Sequence, residues 1–202
     1  MQNQRVKEMT TLAMFIAIIA VMSFVPQLGF ISLGFGLAVT LIHVPVLIGG
    51  AYGGKRMAIA LGFVFGLSSF IQAFPRGGEG FNFLFQLPHI SILPRVLFGI
   101  AFWGIFVTTR KLFKATILRY AVTFALATLA HSVFTLSAIA LFADHHPLWS
   151  DFVLDNEIGS VIALVWTIFV SNAILEVVIS TLIATPIAYR LRDFSMQSAP
   201  NQ

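Results

Sequence analysis

Six long apolar runs, separated by short polar connections, are the feature that most constrains the fold of this chain. The runs lie at about residues 9–25, 37–53, 57–74, 92–109, 117–142 and 159–189. Each is close to the roughly 20 residues that a transmembrane helix needs to cross a bilayer. The chain is also only 10% charged, whereas a soluble domain is about 25% charged. The sequence therefore predicts an all-α integral membrane protein.

The Lys and Arg residues predict how the helices are oriented. Ten of the twelve stand beside the apolar runs at every second connection, which puts them on one face: Arg5, Lys7, Lys55, Arg56, Arg110, Lys111, Lys114, Arg119, Arg190 and Arg192. Cationic connections stay on the cytoplasmic side of a membrane, and only an even number of spans reconciles these clusters. We therefore expect residues 1–202 to form one compact bundle of six transmembrane helices, with both termini cytoplasmic.

The stretch GGAYGGKRM between the second and third runs resembles a phosphate-binding loop, because Gly49, Gly54 and Lys55 fit G-x-x-x-x-G-K. The hydroxyl residue that would ligate magnesium is replaced by Arg56, and apolar runs flank the stretch on both sides. The glycines and cations instead favour a tight turn between two helices at a membrane surface. This segment does not predict nucleotide binding.

The sequence offers little for enzymatic chemistry. It has no Cys, which excludes disulfides, thiolate metal sites and cysteine nucleophiles. It also has no G-x-S-x-G elbow, no H-E-x-x-H helix and no pair of catalytic carboxylates. His145 and His146 could bind a metal, but neighbouring histidines in a loop seldom converge on one ion. We therefore predict a small-molecule binding pocket rather than an active site, with no cofactor in this chain.

Arg95 is the first candidate for that pocket, because an ionisable group inside an apolar span is costly. It follows Pro94, and Pro is favoured in the first turn of a helix. This helix starts on the outer side, where the guanidinium and the positive helix end could together hold a carboxylate. The alternative is an Arg that snorkels to lipid headgroups.

Helices 5 and 6 carry the other polar candidates. Asn172 and Glu176 are four residues apart, as are His131 and Thr135, so each pair shares a helix face. Glu176 could accept hydrogen bonds from a ligand or could pair with His131 as a structural bridge. An intramembrane His such as His131 or His43 also serves as a donor between helices. The residues alone leave these alternatives open.

Two further features each have both a structural and a functional explanation. The outer connection 75–91 carries aromatic residues that would be costly to leave in water, so it is either a lid or a plain connection. Helix 1 carries Ala13 and Ala17, and helix 3 carries Gly62 and Gly66, at a spacing that lets another helix approach closely. Internal packing and partner docking both explain that spacing.

In order and spacing, these motifs resemble the substrate-binding S components of energy-coupling factor (ECF) vitamin transporters. The resemblance covers nearly the whole chain and is greatest to the pantothenate branch. Its motifs are A-x-x-x-A in helix 1, HVPVLIGG at His43–Gly50, GFVFGLSS at Gly62–Ser69, LPRVLFG at Leu93–Gly99 and SNAILE at Ser171–Glu176. The sequence departs from the family pattern at Ala130–His131, where Thr–Asn is expected.

The resemblance implies a mechanism and a set of partners. An S component in the cell membrane of a prokaryote captures a vitamin from outside, in a pocket formed by outer loops and helices 4 to 6. It docks through Ala13 and Ala17 on a transmembrane coupling subunit. Two cytoplasmic ATPases, which hold the ATP and Mg, drive that subunit, and the S component topples in the membrane to release its cargo inward.

For pantothenate, the resemblance implies that the carboxylate meets Arg95. The remaining candidates for contacts with its hydroxyls, amide and dimethyl group are Asn172, Glu176, His131, Thr135, Asn82, Phe81 and Phe85. Folate is the nearest alternative cargo, although it would need more aromatic stacking surface than Trp103 offers. A small intramembrane enzyme and a purely structural membrane subunit are the alternatives from other classes.

Overall fold

The computed structural model describes residues 2–34, 37–76, 82–155, 160, 166–167 and 172–197. Helices dominate this part of the chain. They are α1 (Gln2–Phe24), α2 (Pro26–Gly29), α3 (Val44–Ala73), α4 (Pro88–Ser91), α5 (Leu93–Leu112), α6 (Thr116–Phe142), α7 (Trp149–Asp155) and α8 (Ile174–Gln197). Two strands, β1 (Phe30–Gly34) and β2 (Leu37–Thr40), and two 3₁₀ turns, Asn82–Gln86 and Ala143–His145, connect them.

Five of the described helical segments are long and apolar enough to cross a membrane. They are Arg5–Phe24, Val44–Ala73, Pro88–Leu112, Thr116–His145 and Ile174–Arg192. The prediction of a helical protein with several membrane-crossing segments is therefore confirmed. Within the predicted span 159–189, residues 159, 161–165 and 168–171 lie outside the described residues.

Helix α3 is bent sharply back on itself at Gly54. That residue has φ 78° and ψ −162°, a combination that only glycine adopts readily. A Cβ placed on Gly50 would lie 3.0 Å from the Cβ of Ala58, whereas eight residues of straight helix would separate them by about 12 Å. The two limbs of α3 therefore pack side by side, and the prediction of a tight glycine turn between two helices is confirmed.

The start of the second predicted span is wrong, because residues 37–40 form strand β2 rather than helix. This strand pairs antiparallel with β1, so that Phe30 lies opposite Thr40 and Ile31 opposite Val39. The two strands bond each other's backbone groups, which removes the need for helical hydrogen bonds in this apolar segment. The helix begins only at Val44, with Pro45 in its first turn.

The core of the bundle is formed by α3 packed against α5, with α6 between α5 and α8. Small residues bring the first pair close together, since a Cβ on Gly62 would lie 2.5 Å from the carbonyl oxygen of Arg95. The largest fully buried side chains around this contact are aromatic: Phe65, Phe98, Phe102 and Phe124. The Gly62–Gly66 spacing therefore serves internal packing.

The small residues of α1 lie on its exposed face. Phe15 and Ile19 of this helix are buried in the bundle, whereas Ala13 and Ala17 are both exposed. Internal packing consequently does not account for the A-x-x-x-A spacing. The face that carries these two residues is open to a neighbour in the membrane.

Candidate functional site

The first turn of α5 places Arg95 inside the bundle rather than at the lipid surface. Its side chain is only 6% exposed. Nη1 donates a hydrogen bond to the carbonyl oxygen of Ile90 at 2.6 Å, and the guanidinium lies over the rings of Phe65 at 5.5 Å and Phe85 at 4.9 Å. Nε is buried and has no hydrogen-bond partner among the described residues. Arg95 thus keeps unused donor capacity in a desolvated, aromatic setting.

Two histidines adjoin this arginine. The rings of His43 and His131 stack with their centroids 5.5 Å apart, and His131 also contacts the rings of Phe65 at 5.4 Å and Phe98 at 5.1 Å. Both ring nitrogens of His43, and Nδ1 of His131, are buried without a partner in the part of the chain that the structure describes. Because Phe65 contacts both Arg95 and His131, these groups belong to one cluster of side chains.

The carboxylate of Glu176 ties three elements together near the same place. One oxygen accepts the backbone N–H of Thr40 at 2.9 Å, at the end of β2. The other accepts the hydroxyl of Ser132 on α6 at 3.4 Å. Glu176 and Arg95 also attract each other electrostatically. Among the described residues, no hydrogen bond or ion pair joins Glu176 to His131, so the structural bridge between them is not the arrangement found.

Two further polar candidates lie about one helical turn from His131 and from Glu176. Thr135 follows His131 on α6, and its hydroxyl is buried without a described partner. Asn172 precedes Glu176, and its side-chain oxygen is likewise buried and unbonded within the described residues. Asn172 and Ala173 form a wide π-type turn at the start of α8, a distortion that often marks functional sites.

The outer connection contributes an aromatic cover. Phe85 lies on the 3₁₀ turn Asn82–Gln86 and packs its ring on the guanidinium of Arg95. Asn82 is half-buried on the same turn, whereas Phe81 lies outside the described residues. Phe83 is buried against the rings of His146 at 4.8 Å and Phe152 at 5.3 Å. The described part of this connection is therefore packed onto the end of the bundle at which α5 begins.

The paired histidines of the outer segment have structural partners. Nδ1 of His146 accepts the backbone N–H of Leu148 at 3.2 Å, and burial lowers the pKa of His146. His145 contacts the ring of Phe142 instead. Among the described residues, no three His, Asp or Glu side chains are grouped closely enough to hold a metal ion.

The arrangement suits a small, polar, anionic molecule with an apolar body. Buried polar groups are normally hydrogen-bonded, so several without a described partner around Arg95 mark a place where a ligand would supply the partners. Sequence reasoning gave His43 little weight and did not single out Phe65. An imidazole inside an apolar run is a usable signal for His43. Phe65, one of 21 Phe residues, offered none.

Comparisons with known proteins give a matching family and two similar transporters. A family model described as "ECF transporter, substrate-specific component" matches residues 7–188. The pantothenic acid transporter PanT of Lactococcus lactis subsp. cremoris (strain MG1363) is 28% identical over 201 residues, which cover 93% of this chain and 94% of that protein. The pantothenate transporter PanT of Leuconostoc mesenteroides subsp. mesenteroides is 32% identical over 103 residues, 50% of each chain.

Proposed function

The chain belongs to the family of ECF transporter substrate-specific components, and from this premise we propose that it captures pantothenate outside the cell and delivers it across the membrane. The observation that carries the proposal is Arg95, a buried guanidinium beneath an aromatic ring whose Nε has no hydrogen-bond partner among the described residues. A carboxylate is a group that such a cation binds strongly, through two parallel hydrogen bonds. The names of both relatives agree with this cargo.

Pantothenate has a carboxylate at one end and a dimethyl group with two hydroxyls at the other, joined by an amide. We place the carboxylate on Arg95 and the dimethyl group against the aromatic side chains. The hydroxyls and amide then meet His131, His43, Thr135 and Asn172, whose buried polar atoms lack partners among the described residues. Asn82 and Phe81 remain proposed contacts on the outer connection, and Glu176 holds Thr40 and Ser132 in place.

We further propose six membrane crossings with both termini cytoplasmic. The two limbs of α3 would cross separately, because the chain reverses at Gly54. Lys55 and Arg56 directly follow this reversal and are exposed, as cytoplasmic cations should be. The site around Arg95 then faces the outside of the cell, from which the vitamin arrives.

The energy for release would come from partners. We propose that this chain holds no cofactor and docks on a transmembrane coupling subunit driven by two cytoplasmic ATPases that bind ATP and Mg. The exposed face of α1 with Ala13 and Ala17 supports such docking, because small residues let a partner helix approach closely. The lack of a complete phosphate-binding loop in the sequence fits this division of labour.

Calorimetric titration of the purified chain in detergent tests the cargo. We expect tight, one-to-one binding of pantothenate and no binding heat when folate is titrated under the same conditions. The alcohol analogue of pantothenate, which lacks only the carboxylate, should bind more weakly. Binding of folate instead would keep the family and change the cargo. The absence of binding heat with both ligands would overturn the proposal.

Co-purification tests the docking face. The chain is co-expressed with the coupling subunit and ATPases of its source organism, and we expect Ala13→Leu with Ala17→Leu to lose these partners while keeping pantothenate affinity. Ile18→Leu, which conserves volume at an exposed position of the same helix, is the control and should retain them. Full recovery of the partners by the double variant would remove this face from the proposal.

A further inference from the structure

A second polar region lies at the opposite end of the bundle, away from Arg95. A cavity of about 310 Å³ opens where the ends of α5, α6 and α8 meet the turn of α3. Its polar lining consists of Arg110, Arg119, Arg192, Tyr52 and Tyr120, and its other lining residues are aliphatic. None of the described residues that line the cavity is acidic. Three guanidinium groups therefore share one concave space.

Arg119 is held in this cavity by aromatic rings. Its guanidinium lies 5.7 Å from the ring centroid of Phe106 and 5.2 Å from that of Tyr120. Its Nε is buried with no hydrogen-bond partner within the described part of the chain. The ring of Tyr120 is itself fixed by stacking on Phe106 and Phe124. Stacking positions the cation but leaves this donor unused.

The start of α6 adds positive potential to the same place. Arg192 of α8 donates a hydrogen bond from Nη1 to the hydroxyl of Thr116 at 2.7 Å, at the first residue of α6. No side chain caps that helix at Ala115. The N-terminus of a 27-residue helix carries a partial positive charge and free backbone N–H groups. The cavity thus combines three cations, a helix N-terminus and an aliphatic lining.

We propose that this cavity binds the phosphate of an anionic phospholipid headgroup. Basic pockets between transmembrane helices on the cytoplasmic side are suited to such headgroups. The guanidinium groups would meet the phosphate, while the aliphatic lining suits the glycerol and the first methylene groups of the acyl chains. A lipid bound here would bridge α3, α5, α6 and α8 at one membrane surface, independently of the vitamin site.

Native mass spectrometry of the purified full chain, titrated with phosphatidylglycerol and with phosphatidylcholine, tests this site. We expect one phosphatidylglycerol to bind in preference to the zwitterionic lipid. Each neutralised arginine should weaken binding about five-fold, so Arg119→Gln with Arg192→Gln should weaken it about 25-fold. Arg190→Gln, an exposed cation of α8 outside the cavity, is the matched control and should stay within about two-fold.

The outcomes separate a lipid from a free anion and from misfolding. Equal affinity of the wild-type chain for the two lipids, or unchanged phosphatidylglycerol binding in the double variant, would overturn the proposal. Displacement of the lipid by millimolar inorganic phosphate would identify a site for free phosphate and overturn it as well. Arg110→Gln, exposed at the rim, should show the five-fold loss even if the double variant does not fold. The lipid readout does not depend on pantothenate, so failure of one proposal leaves the other intact.

Discussion

Arg95 and Arg119 make the same kind of contact at opposite ends of the molecule. Each places its guanidinium over two aromatic rings, and each has a buried Nε without a described partner. They differ in depth, because Arg95 is buried inside the bundle and Arg119 is half-buried beside a cavity at its end. Ring stacking holds a guanidinium in position without using its N–H donors. In the two proposals, the depth of the arginine determines whether a small ligand or a lipid headgroup supplies the hydrogen-bond acceptor for its N–H groups.

The largest effect should come from removing the deep arginine. Arg95→Ala removes the buried cation of the site and leaves the ligand carboxylate desolvated without that partner. We expect a loss on the order of 2–5 kcal/mol, or about 30- to several-thousand-fold in pantothenate affinity, measured by calorimetry. Unchanged affinity would remove Arg95 from the site.

The alcohol analogue of pantothenate provides the control for that variant. Without a carboxylate it gains little from Arg95, so its affinity should fall far less than that of pantothenate when Arg95 becomes Ala. Equal losses for the two ligands would mean that the substitution disturbs the pocket as a whole. The difference between the two losses therefore measures the charge-assisted pair itself.

Arg95→Lys should have the next largest effect. Lysine keeps the charge but loses the planar fork that binds a carboxylate through two parallel hydrogen bonds, and it stacks less well on Phe65 and Phe85. Losing one hydrogen bond to a charged group should weaken pantothenate binding about 10- to 150-fold, as measured in the same titration. Wild-type affinity in this variant would show that charge alone suffices.

A smaller effect is expected from His131→Phe. Phenylalanine preserves the ring contacts with His43, Phe65 and Phe98 but removes both ring nitrogens. Loss of one neutral hydrogen bond should lower pantothenate affinity about 2- to 10-fold. Val133→Ala, on the lipid-facing side of the same helix, is the control and should bind normally. An undiminished affinity in the Phe variant would make His131 a packing residue.

The parts of the fold that follow local rules could be predicted from the sequence. Proline in a first turn located Arg95 at the start of α5, and glycine at a reversal located the turn at Gly54. The strand β2 could not be predicted in this way, because a short apolar segment such as residues 37–40 is compatible with either helix or strand. What distinguishes them is the pairing with β1, which involves a different segment of the chain.

The site residues that the sequence did not predict depend on contacts between distant segments of the chain. His43 stacks on His131 because α3 reverses at Gly54 and packs closely on α5 at Gly62, and no local pattern encodes that distance. The two small-residue spacings illustrate the same limit. They are alike in sequence, yet Gly62 is buried between helices while Ala13 is exposed on α1. Spacing shows that a helix can be approached closely, but not from which side.

The smallest expected effect completes the comparison of the two arginines. Arg119→Gln removes a cation that stacks on two rings as Arg95 does, but at the other end of the bundle. Twelve residues of α6 separate Arg119 from His131 beside Arg95, or about 18 Å, and Arg119 lies at the solvated end of the bundle, so pantothenate affinity should change less than about two-fold. The same titration that detects the loss in Arg95→Ala measures this. A large loss in Arg119→Gln would show that the two ends are coupled, since the packed aromatic side chains between them would then transmit a change in helix position.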